Sequence, residues 1–353
     1  MNPNRNKPIL SPEDVPPLRP DFKVVGVFNP GVAVHDGKVK LLIRVSEAVK
    51  EKREGQVCLL RGDGTGGIAT HWVDCRQLKR VDPRMVVIDD HERIRLTFVS
   101  HLRLAVSTDR TTFKIEPQPA LAPLKRYEEF GVEDPRITQI GDTYYITYVG
   151  VSRNGIVTAL ASTKDFITYD RLGVILPPEN KDVVLFPEKI NGKYWMIHRP
   201  YPNTRFGLPE MWLASSPDLI NWGDHQCLLG GREDWEAERV GAGPPPILTD
   251  AGWLVIYHGV HLPDRHEGIG VYSVGGILLD RNDPSKIIAR AKSPFMVPQA
   301  EHEQNAYVPD VVFPTGVVTE GDDLLIYYGA GDSCICVARR SLAEICDRIQ
   351  AGR

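Results

Sequence analysis

Gly141-Asp-Thr-Tyr-Tyr-Ile-Thr-Tyr-Val149 is a turn followed by a short strand rich in aromatic and β-branched residues. The same order of turn and apolar strand recurs along the chain, which predicts a repeated structural unit. The further copies are Gly37-Lys-Val-Lys-Leu-Leu-Ile-Arg-Val45, Gly192-Lys-Tyr-Trp-Met-Ile-His198, Gly252-Trp-Leu-Val-Ile-Tyr-His258, Gly321-Asp-Asp-Leu-Leu-Ile-Tyr-Tyr328 and, more weakly, Glu92-Arg-Ile-Arg-Leu-Thr-Phe-Val99.

A proline-bearing start accompanies each of these strands, at intervals of roughly 50 to 70 residues. The starts are Asn29-Pro30, Asp82-Pro83, Asp134-Pro135, Phe186-Pro187, Pro245 and Phe313-Pro314. Such a period is typical of a β-propeller, and a β-sandwich with accidental spacing is the alternative. Six starts predict six blades, and the short last unit indicates that the two ends of the chain share a blade. The expected fold class is therefore all-β.

The 353 residues include 42 Lys and Arg against 46 Asp and Glu, which gives a formal net charge of −4. Without a basic excess, the sequence does not favour a nucleic-acid-binding protein. Hydrophobic residues make up 42% of the chain, which argues against disorder. No apolar run reaches the roughly 18 residues of a membrane span, so no membrane association is expected. The polar stretch Met1–Pro20 does not resemble a secretory signal.

The six cysteines show neither a Cys-x-x-Cys pair nor a zinc-ligand spacing. In a chain of this length they do not indicate a disulfide framework. We interpret them as reduced and mostly buried thiols, which predicts a cytoplasmic protein.

No shift in composition marks a linker, so we expect a single catalytic domain. The predicted division is an N-terminal arm over residues 1–20, a β-propeller over residues 21–340 and a C-terminal helix over residues 341–353. Ser341 and Glu344 form a capping box at the start of this helix. An apolar stripe at helical spacing predicts that the helix packs on the outside of the propeller; its members are Leu342, Ile345, Cys346 and Ile349.

The segment Gly62-Asp-Gly-Thr-Gly-Gly67 matches the G-x-G-x-x-G pattern of dinucleotide-binding proteins. That pattern requires a following helix, whereas Ile68-Ala-Thr-His-Trp-Val73 has the composition of a strand. We therefore interpret the segment as a hairpin turn. The histidines at positions 101, 225 and 302 show no metal-ligand spacing, and no metal site is expected.

In a propeller the inner strands surround a central channel, so polar residues at the strand starts are expected to converge on one pocket. Their mixed charges suit a polar, hydroxyl-rich and anionic ligand. The starts carry Asn29, Asp82, Arg84, Glu133, Asp134, Arg136, Lys181, Asp182, Glu188, Lys189 and Asp310, and the strands carry Arg44, His198, Arg199 and His258. The alternative is that Asp-Pro starts only cap turns, which we favour for Asp82. For Asp134 we favour function, because charged neighbours crowd it on both sides (Glu128, Glu129, Glu133 and Arg136).

Several long motifs, in order from about Asn2 to Gly331, resemble glycoside hydrolase family 130, which holds β-mannoside phosphorylases and some β-mannosidases. The motifs are Phe130-Gly-Val-Glu-Asp-Pro-Arg-Ile137, Phe186-Pro-Glu-Lys-Ile-Asn-Gly-Lys-Tyr194, His198-Arg-Pro200, Gly241-Ala-Gly-Pro-Pro-Pro246 and Tyr257-His-Gly259. The resemblance implies a five-bladed propeller, which replaces the count of six without explaining it.

The chemistry that the resemblance implies is inverting phosphorolysis, in which inorganic phosphate attacks the mannosyl anomeric carbon and α-mannose 1-phosphate is released. An inverting glycosidase needs a second carboxylate to activate water, but phosphate is already an anionic nucleophile. The site then needs one carboxylic acid and a group of cations. The expected partners are a β-mannoside and phosphate as co-substrate, with no other cofactor.

By resemblance, Asp134 is the catalytic acid, and it must hold its proton near neutral pH. Burial and Glu133 would raise its pKa if Glu133 is close. The expected phosphate ligands are Lys181, Arg199, His258 and Tyr272, and the expected mannosyl pocket contains Asn29, Arg44 and Asp310, with Lys189 behind it. For each phosphate ligand the alternative is a surface salt bridge or a blade-stabilising contact.

Hydrolysis of a β-mannoside and non-catalytic carbohydrate binding are the alternative functions. The retained cations favour phosphorolysis over hydrolysis, and the complete motif around Asp134 argues against a binding module. Asn180-Lys-Asp-Val183 and Asn2-Pro-Asn-Arg5 resemble members that act on β-1,2-mannobiose or β-1,2-oligomannosides. A β-1,4-linked mannosyl-glucose or mannosyl-N-acetylglucosamine stays open, as do a homo-oligomer and the role of the Pro263–Gly268 insertion.

Overall fold

The computed structural model describes residues 7–81, 84–202, 206–232, 234–263 and 269–352. Three predictions lie at least partly outside these ranges. They are the structure of residues 1–6 of the arm, the capping role of Asp82 and the placement of the insertion at residues 264–268. In the described part of the chain, β-strands account for most of the regular structure, so the all-β prediction is confirmed.

The strands follow in chain order as β1 (Phe22–His35), β2 (Lys38–Val49), β3 (Gln56–Gly62), β4 (Ile68–Asp74), β5 (Arg80–Val81), β6 (Met85–Val87), β7 (Ile94–Leu96), β8 (Val99–Ser107), β9 (Lys114–Leu121), β10 (Gly131–Ile140), β11 (Thr143–Ser152), β12 (Gly155–Thr163) and β13 (Asp170–Leu176). They continue as β14 (Asn180–Leu185), β15 (Tyr194–Pro200), β16 (Met211–Ser216), β17 (Gly223–Leu229), β18 (Arg239–Ala242), β19 (Ile247–Thr249), β20 (Gly252–His261), β21 (Val271–Leu279), β22 (Ile287–Arg290), β23 (Val312–Glu320), β24 (Asp323–Ala330) and β25 (Cys334–Ser341). The α-helices are α1 (Glu301–Gln304) and α2 (Leu342–Gln350).

Most strands belong to antiparallel meanders that follow one another along the chain. The first meander contains β1, β2, β8 and β9, the second β10 to β13, and the third β14 to β17. The fourth contains β18 to β22 and the fifth β23 to β25. A single parallel pairing between Gly131 and Ser100 joins the first two meanders into one sheet. Each meander therefore corresponds to one unit of the sequence repeat.

The chain leaves the first meander between β2 and β8 and forms two small sheets. The β3–β4 hairpin contains the glycine-rich turn, in which Asp63 accepts hydrogen bonds from the main-chain N–H of Thr65 (2.8 Å) and of Gly67 (3.0 Å). The prediction of a hairpin turn is thus confirmed. Strands β5, β6 and β7 form the second small sheet, and residues 82–83 lie between β5 and β6. This excursion accounts for a sixth proline-bearing start among five meanders.

Five apolar clusters lie between the meanders, one at each pair of neighbours. Leu42, Leu102 and Val132 belong to the cluster between the first and second meanders, and similar clusters follow between the second and third, the third and fourth, and the fourth and fifth. The remaining cluster joins the fifth meander to the first, with Val27 and Tyr327 among its members. Since each fully buried aliphatic side chain contributes about 1.5–3 kcal/mol, these interfaces hold the meanders in a fixed order.

The first and last meanders are also linked by hydrogen bonds. The N–H of Val27 donates to the carbonyl of Ser333 at 2.9 Å, and the N–H of Ile9 donates to the carbonyl of Ile335 at 2.8 Å. Thr315 Oγ1 donates to the carbonyl of Pro30 at 2.8 Å. Residues close to the start of the described chain are therefore fixed to strands near its end.

Helix α2 begins as the sequence predicts. Ser341 Oγ accepts a hydrogen bond from the N–H of Glu344 at 3.1 Å, and Ile345 and Ile349 are buried in the cluster between the fourth and fifth meanders. No helix in the described ranges has the length and apolar character needed to cross a membrane. All six cysteines are free thiols, but only Cys58, Cys334 and Cys336 are buried, so burial is less general than predicted.

Candidate active site

Three polar residues occupy the same position in the first strand of successive meanders. Asn29, Asp134 and Asp182 each lie at an irregularity where the register of the strand pair shifts. Their φ angles are 49°, 48° and 52°, in the left-handed region where Asn and Asp are the most tolerated residues with a side chain. A bulge of this kind turns a side chain away from the regular alternation of the strand. The repeat therefore brings these three side chains to a common centre.

Asp134 lies at one side of this centre and is held by two donors. Asn29 Nδ2 donates to Asp134 Oδ1 at 2.8 Å, and Arg44 Nη1 donates to the same oxygen at 2.9 Å. Arg44 Nη2 donates to Glu133 Oε1 at 2.7 Å, and its guanidinium carbon lies 4.5 Å from the centre of the Phe28 ring. The predicted mannosyl residues Asn29 and Arg44 thus contact the predicted acid directly.

The expected protonation of Asp134 is wrong for the ligand-free protein. Burial opposes ionisation of this carboxyl, but the positive charges of Arg44 and Arg136 and the hydrogen bond from Asn29 hold its pKa below the usual range. The carboxylate of Glu133 is paired with Arg44, and the rise in the pKa of Asp134 that was expected from Glu133 and burial is not found. Asp134 is therefore ionised near neutral pH until ligands change its surroundings.

The predicted phosphate ligands meet at the other side of the centre. Arg199 Nη1 lies 3.4 Å from His258 Nε2, and the His258 ring stacks on the Tyr272 ring at a centroid distance of 5.6 Å and an interplanar angle of 25°. All three side chains are buried. Lys181 lies directly opposite Arg199 in the antiparallel pairing of β14 with β15. Sequence reasoning missed Arg239, whose guanidinium carbon lies 5.5 Å from the centre of the Tyr272 ring.

Asp182 and Arg136 connect the two sides. Arg136 Nη1 donates to the main-chain carbonyl of Asp134 at 2.9 Å, and Arg136 Nη2 donates to Asp182 Oδ1 at 3.3 Å. Asp182 Oδ2 in turn lies 3.0 Å from Arg199 Nη1. From the sequence, both residues belonged to the set expected at the strand starts, and Arg136 was also one of the charged neighbours of Asp134. Their place within the Asp134 and Lys181 motifs was the signal for a closer role.

A family model described as β-1,4-mannooligosaccharide phosphorylase, of glycoside hydrolase family 130, matches residues 75–351, well over half of the chain. The chain belongs to glycoside hydrolase family 130. The family assignment from the sequence motifs is thus confirmed.

Curated members of family 130 resemble this chain over much of its length. A β-1,2-mannobiose phosphorylase from Listeria innocua is 40% identical over 351 residues, which cover 97% of this chain and 96% of the relative. A 1,2-β-oligomannan phosphorylase from Thermoanaerobacter is 41% identical over 252 residues, covering 70% of this chain and 81% of the relative. A solved structure of a Listeria innocua β-1,2-mannobiose phosphorylase with β-1,2-mannobiose has a TM-score of 0.90 at 39% identity, and the match covers 98% of each chain.

Two residues predicted for the site of this family-130 chain take other positions or contacts. Lys189 is exposed, and its Nζ lies 4.5 Å from the centre of the Tyr194 ring, at the opposite end of the β14–β15 hairpin from Lys181. The structure therefore does not bring Lys189 close to the predicted phosphate ligands. Asp310 is adjacent to the cluster through its main chain, because its carbonyl accepts a hydrogen bond from the N–H of Tyr272 at 2.9 Å.

Asp332 is a site residue that the sequence reasoning missed. It lines a cavity of about 220 Å³ together with Arg44, Ser46 and Arg84, which directly precedes β6. Burial raises the pKa of Asp332 to about 6, and the negative charges of Asp134 and Glu133 act in the same direction. Asp332 lies in the turn between β24 and β25 rather than at a strand start, so an argument from strand starts could not find it.

His258 is neutral in the ligand-free protein. Burial lowers its pKa to about 3, and Arg199 and Arg136 act in the same direction, although Asp182 opposes them. Burial and the neighbouring His225 likewise lower the pKa of His198 to about 3, and His198 Nε2 lies 3.0 Å from His225 Nδ1. Both imidazoles therefore take up a proton at a higher pH in the unfolded chain, where the pKa of histidine is about 6.5.

We expect the protein to lose stability as the pH falls from about 6.5 towards 3. Because the unfolded chain binds the proton first, each buried histidine contributes a slope of about 1.4 kcal/mol per pH unit. Urea unfolding at pH 7.5, 6.5 and 5.5 would measure this loss. His198→Gln should reduce the slope, whereas His91→Gln, at an exposed position, should not. Equal slopes in all three proteins would contradict the lowered pKa of His198 in the folded protein.

Proposed function

We propose that this chain is a β-mannoside phosphorylase, which cleaves its substrate with inorganic phosphate and inversion to give α-mannose 1-phosphate. The observation that carries the proposal is the carboxylate of Asp134, placed beside a buried cationic group that contains Arg199. Arg136 is hydrogen-bonded to Asp134 and to Asp182, so the two halves form one site. The curated relatives that match over most of the chain are mannoside phosphorylases.

We further propose that the five meanders form a five-bladed propeller. The cyclic order of the five apolar clusters supports this arrangement, because each meander packs against two neighbours. Residues 21–340 would form the catalytic domain, with residues 1–20 as an arm and residues 341–353 as a C-terminal segment whose helix α2 packs on the outer side.

Phosphate is proposed to bind between Lys181, Arg199, His258 and Tyr272. The Arg199 guanidinium can present two parallel N–H donors to phosphate oxygens, which a lysine cannot do. The neutral His258 and the Tyr272 hydroxyl add donors without further charge. One phosphate oxygen then attacks the anomeric carbon while the bond from that carbon to the leaving sugar breaks.

Asp134 is proposed to supply the proton that the leaving sugar oxygen needs, through a mannosyl hydroxyl. It is ionised in the ligand-free protein, so it must take up this proton as the substrates bind. Sugar binding displaces water from the carboxylate, and the bound phosphate brings negative charge near Arg136; both effects raise the pKa of a carboxyl group. Asn29 and Arg44 orient Asp134 and would contact the mannosyl ring.

The carboxylates Asp310 and Asp332 are proposed to accept hydrogen bonds from mannosyl hydroxyls. The case for Asp332 is its place in the cavity beside Arg44. The case for Asp310 is the resemblance to the family and its main-chain contact with Tyr272.

Hydrolysis is less well supported than phosphorolysis. An inverting hydrolase needs a second carboxylate that accepts a proton from water. Asp182 is a carboxylate near Asp134, but Arg199 and Arg136 outweigh burial and hold the pKa of Asp182 at about 2. A carboxylate with so low a pKa is a weak general base.

We propose a β-1,2-linked mannoside as the substrate, with a β-1,4-linked one as the alternative. The β-1,2-mannobiose phosphorylase that matches almost the whole chain supports the first. The β-1,4-mannooligosaccharide phosphorylase of Ruminococcus albus, 34% identical over 62% of this chain, supports the second. We place the enzyme in the cytoplasm because its cysteines are free thiols, and we propose no cofactor besides phosphate.

The deciding experiment measures product release from β-1,2- and β-1,4-mannobiose with and without inorganic phosphate. We expect mannose 1-phosphate only when phosphate is present, and faster from the β-1,2 disaccharide. Free mannose released at the same rate without phosphate would identify a hydrolase. No product from either disaccharide, under conditions where both substrates bind, would indicate a carbohydrate-binding protein.

A further inference from the structure

Asp182 is an unexpected residue in a site for an anion. Its carboxylate lies within the cationic group, and a buried negative charge should repel phosphate. Substitution by an uncharged residue would remove this repulsion. Its presence therefore needs a reason beyond anion binding.

The two carboxylate oxygens of Asp182 have different surroundings. Oδ1 accepts the hydrogen bond from Arg136. Oδ2 lies 3.0 Å from Arg199 Nη1 and 3.6 Å from His258 Nε2, but no N–H or O–H of the described residues is directed at it as a hydrogen bond. The residue is only 4% exposed. Oδ2 is thus a buried acceptor, between two proposed phosphate ligands, that lacks a donor.

Gly241 lies directly against this oxygen. A Cβ atom added to Gly241 would collide with both Asp182 Oδ2 and the His258 ring. The ionised carboxylate can only accept hydrogen bonds, because its pKa of about 2 keeps it deprotonated at any physiological pH. The missing partner must therefore be a donor, because a buried acceptor without a hydrogen bond destabilises the site.

We propose that Asp182 selects phosphate over fully ionised oxyanions by accepting a hydrogen bond from a P–OH group at Oδ2. This inference rests on the proposed phosphate site. Inorganic phosphate keeps at least one P–OH group near neutral pH, and arsenate behaves in the same way. Sulfate carries only acceptor oxygens, so its binding would place an acceptor against Asp182 Oδ2. A site built around a hydrogen bond discriminates strongly against an analogue that lacks the donor.

The hydrogen bond also fits the proposed reaction. The attacking oxygen of HPO₄²⁻ is one of the unprotonated oxygens, and the P–OH group stays on Asp182 throughout. The product forms as the mannose 1-phosphate monoanion, the leaving sugar receives the proton of Asp134, and Asp134 becomes negative. Two negative charges are therefore present before and after the step. The P–OH proton is lost to water after the product leaves.

Calorimetric binding of three tetrahedral anions to the wild-type protein at pH 7.5 tests the proposal without catalysis. Inorganic phosphate is compared with sulfate and with monofluorophosphate, a dianion that has fluorine in place of the hydroxyl. We expect sulfate and monofluorophosphate to bind about 10- to 100-fold more weakly than phosphate, the range set by one hydrogen bond to a charged group. Equal affinities would overturn the proposal.

Asp182→Asn adds a second readout. The amide can donate to a sulfate oxygen, so the ratio of sulfate to phosphate dissociation constants should fall at least about 10-fold. Asp142→Asn, an exposed position, should keep the wild-type ratio. An unchanged ratio in a folded Asp182→Asn protein would also overturn the proposal.

The outcomes separate this inference from the proposed function. Phosphate-dependent turnover with equal binding of all three anions would remove the role of Asp182 and leave the phosphorylase intact. Selective binding of phosphate without any phosphate-dependent turnover would support the role of Asp182 and contradict the phosphorylase.

Discussion

Replacing Asp134 by Asn is expected to lower the rate of mannose 1-phosphate release about 10²- to 10⁴-fold, the usual contribution of general acid catalysis. The amide keeps the size of the carboxylate, and its oxygen can still accept hydrogen bonds from Asn29 and Arg44. The variant should therefore fold and bind sugar, yet it has no acidic proton to deliver. Steady-state rates with β-mannobiose and saturating phosphate would measure the loss.

Asp36→Asn is the matched control for this substitution. Asp36 has a left-handed backbone, with φ 51°, but it is exposed in the turn between β1 and β2. We expect its rate to equal that of the wild type. If Asp134→Asn retained near-native turnover with the same phosphate dependence, Asp134 would not be the acid.

Replacing Arg199 by Ala is expected to give the second large loss. The substitution removes charge-assisted hydrogen bonds to phosphate, each of which contributes about 1.5–3 kcal/mol. We expect kcat/KM for phosphate to fall about 10²- to 10⁴-fold, with the KM for phosphate raised more than the KM for the mannoside. Initial rates over a matrix of both substrate concentrations would separate the two effects.

Arg199→Lys tests whether phosphate binding needs the two parallel N–H donors of the guanidinium or only its positive charge. Lysine keeps the charge but cannot present two parallel donors, so only part of the activity should return. Arg76→Ala, at an exposed arginine paired with Asp74, should leave both KM values unchanged. An unchanged phosphate KM in Arg199→Ala would exclude Arg199 from the phosphate site.

The repeat in the sequence predicted much of the fold, because strand composition and turn signals are local properties of the chain. The strands after Gly37, Gly141 and Gly252 all form as expected. The proline-bearing starts alone could not give the number of meanders, because the excursion that contains β5 to β7 carries a start of the same type. Only the strand pairings distinguish an inserted sheet from a meander.

The site was predictable where it follows the repeat and was not where it depends on spatial neighbours. Asn29 and Asp134 were found because each stands at a strand start, although 105 positions separate them. The lowered pKa of Asp134 depends on Arg44, which is 90 positions away and approaches from another strand. Nothing local in the sequence indicates that Arg44 would also hold Glu133.

Asp332 and Lys189 show that sequence motifs do not determine which residues lie at the site. Asp332 lies in a turn without a motif, but folding places it in the cavity beside Arg44. Lys189 belongs to a long motif, but the β14–β15 hairpin carries it to the far end of the strand pair. Membership in a motif therefore does not establish that a residue contacts substrate.

The hydrogen bond between Thr315 and Pro30 joins residues that are 285 positions apart. At a synthesis rate of about 5–20 residues per second, Pro30 is synthesised roughly 15 to 60 s before its partner. During that interval the strand that carries Asn29 has one exposed side, which is a template for pairing with other chains. The nascent chain therefore has a period of vulnerability to aggregation that ends only when its last meander arrives.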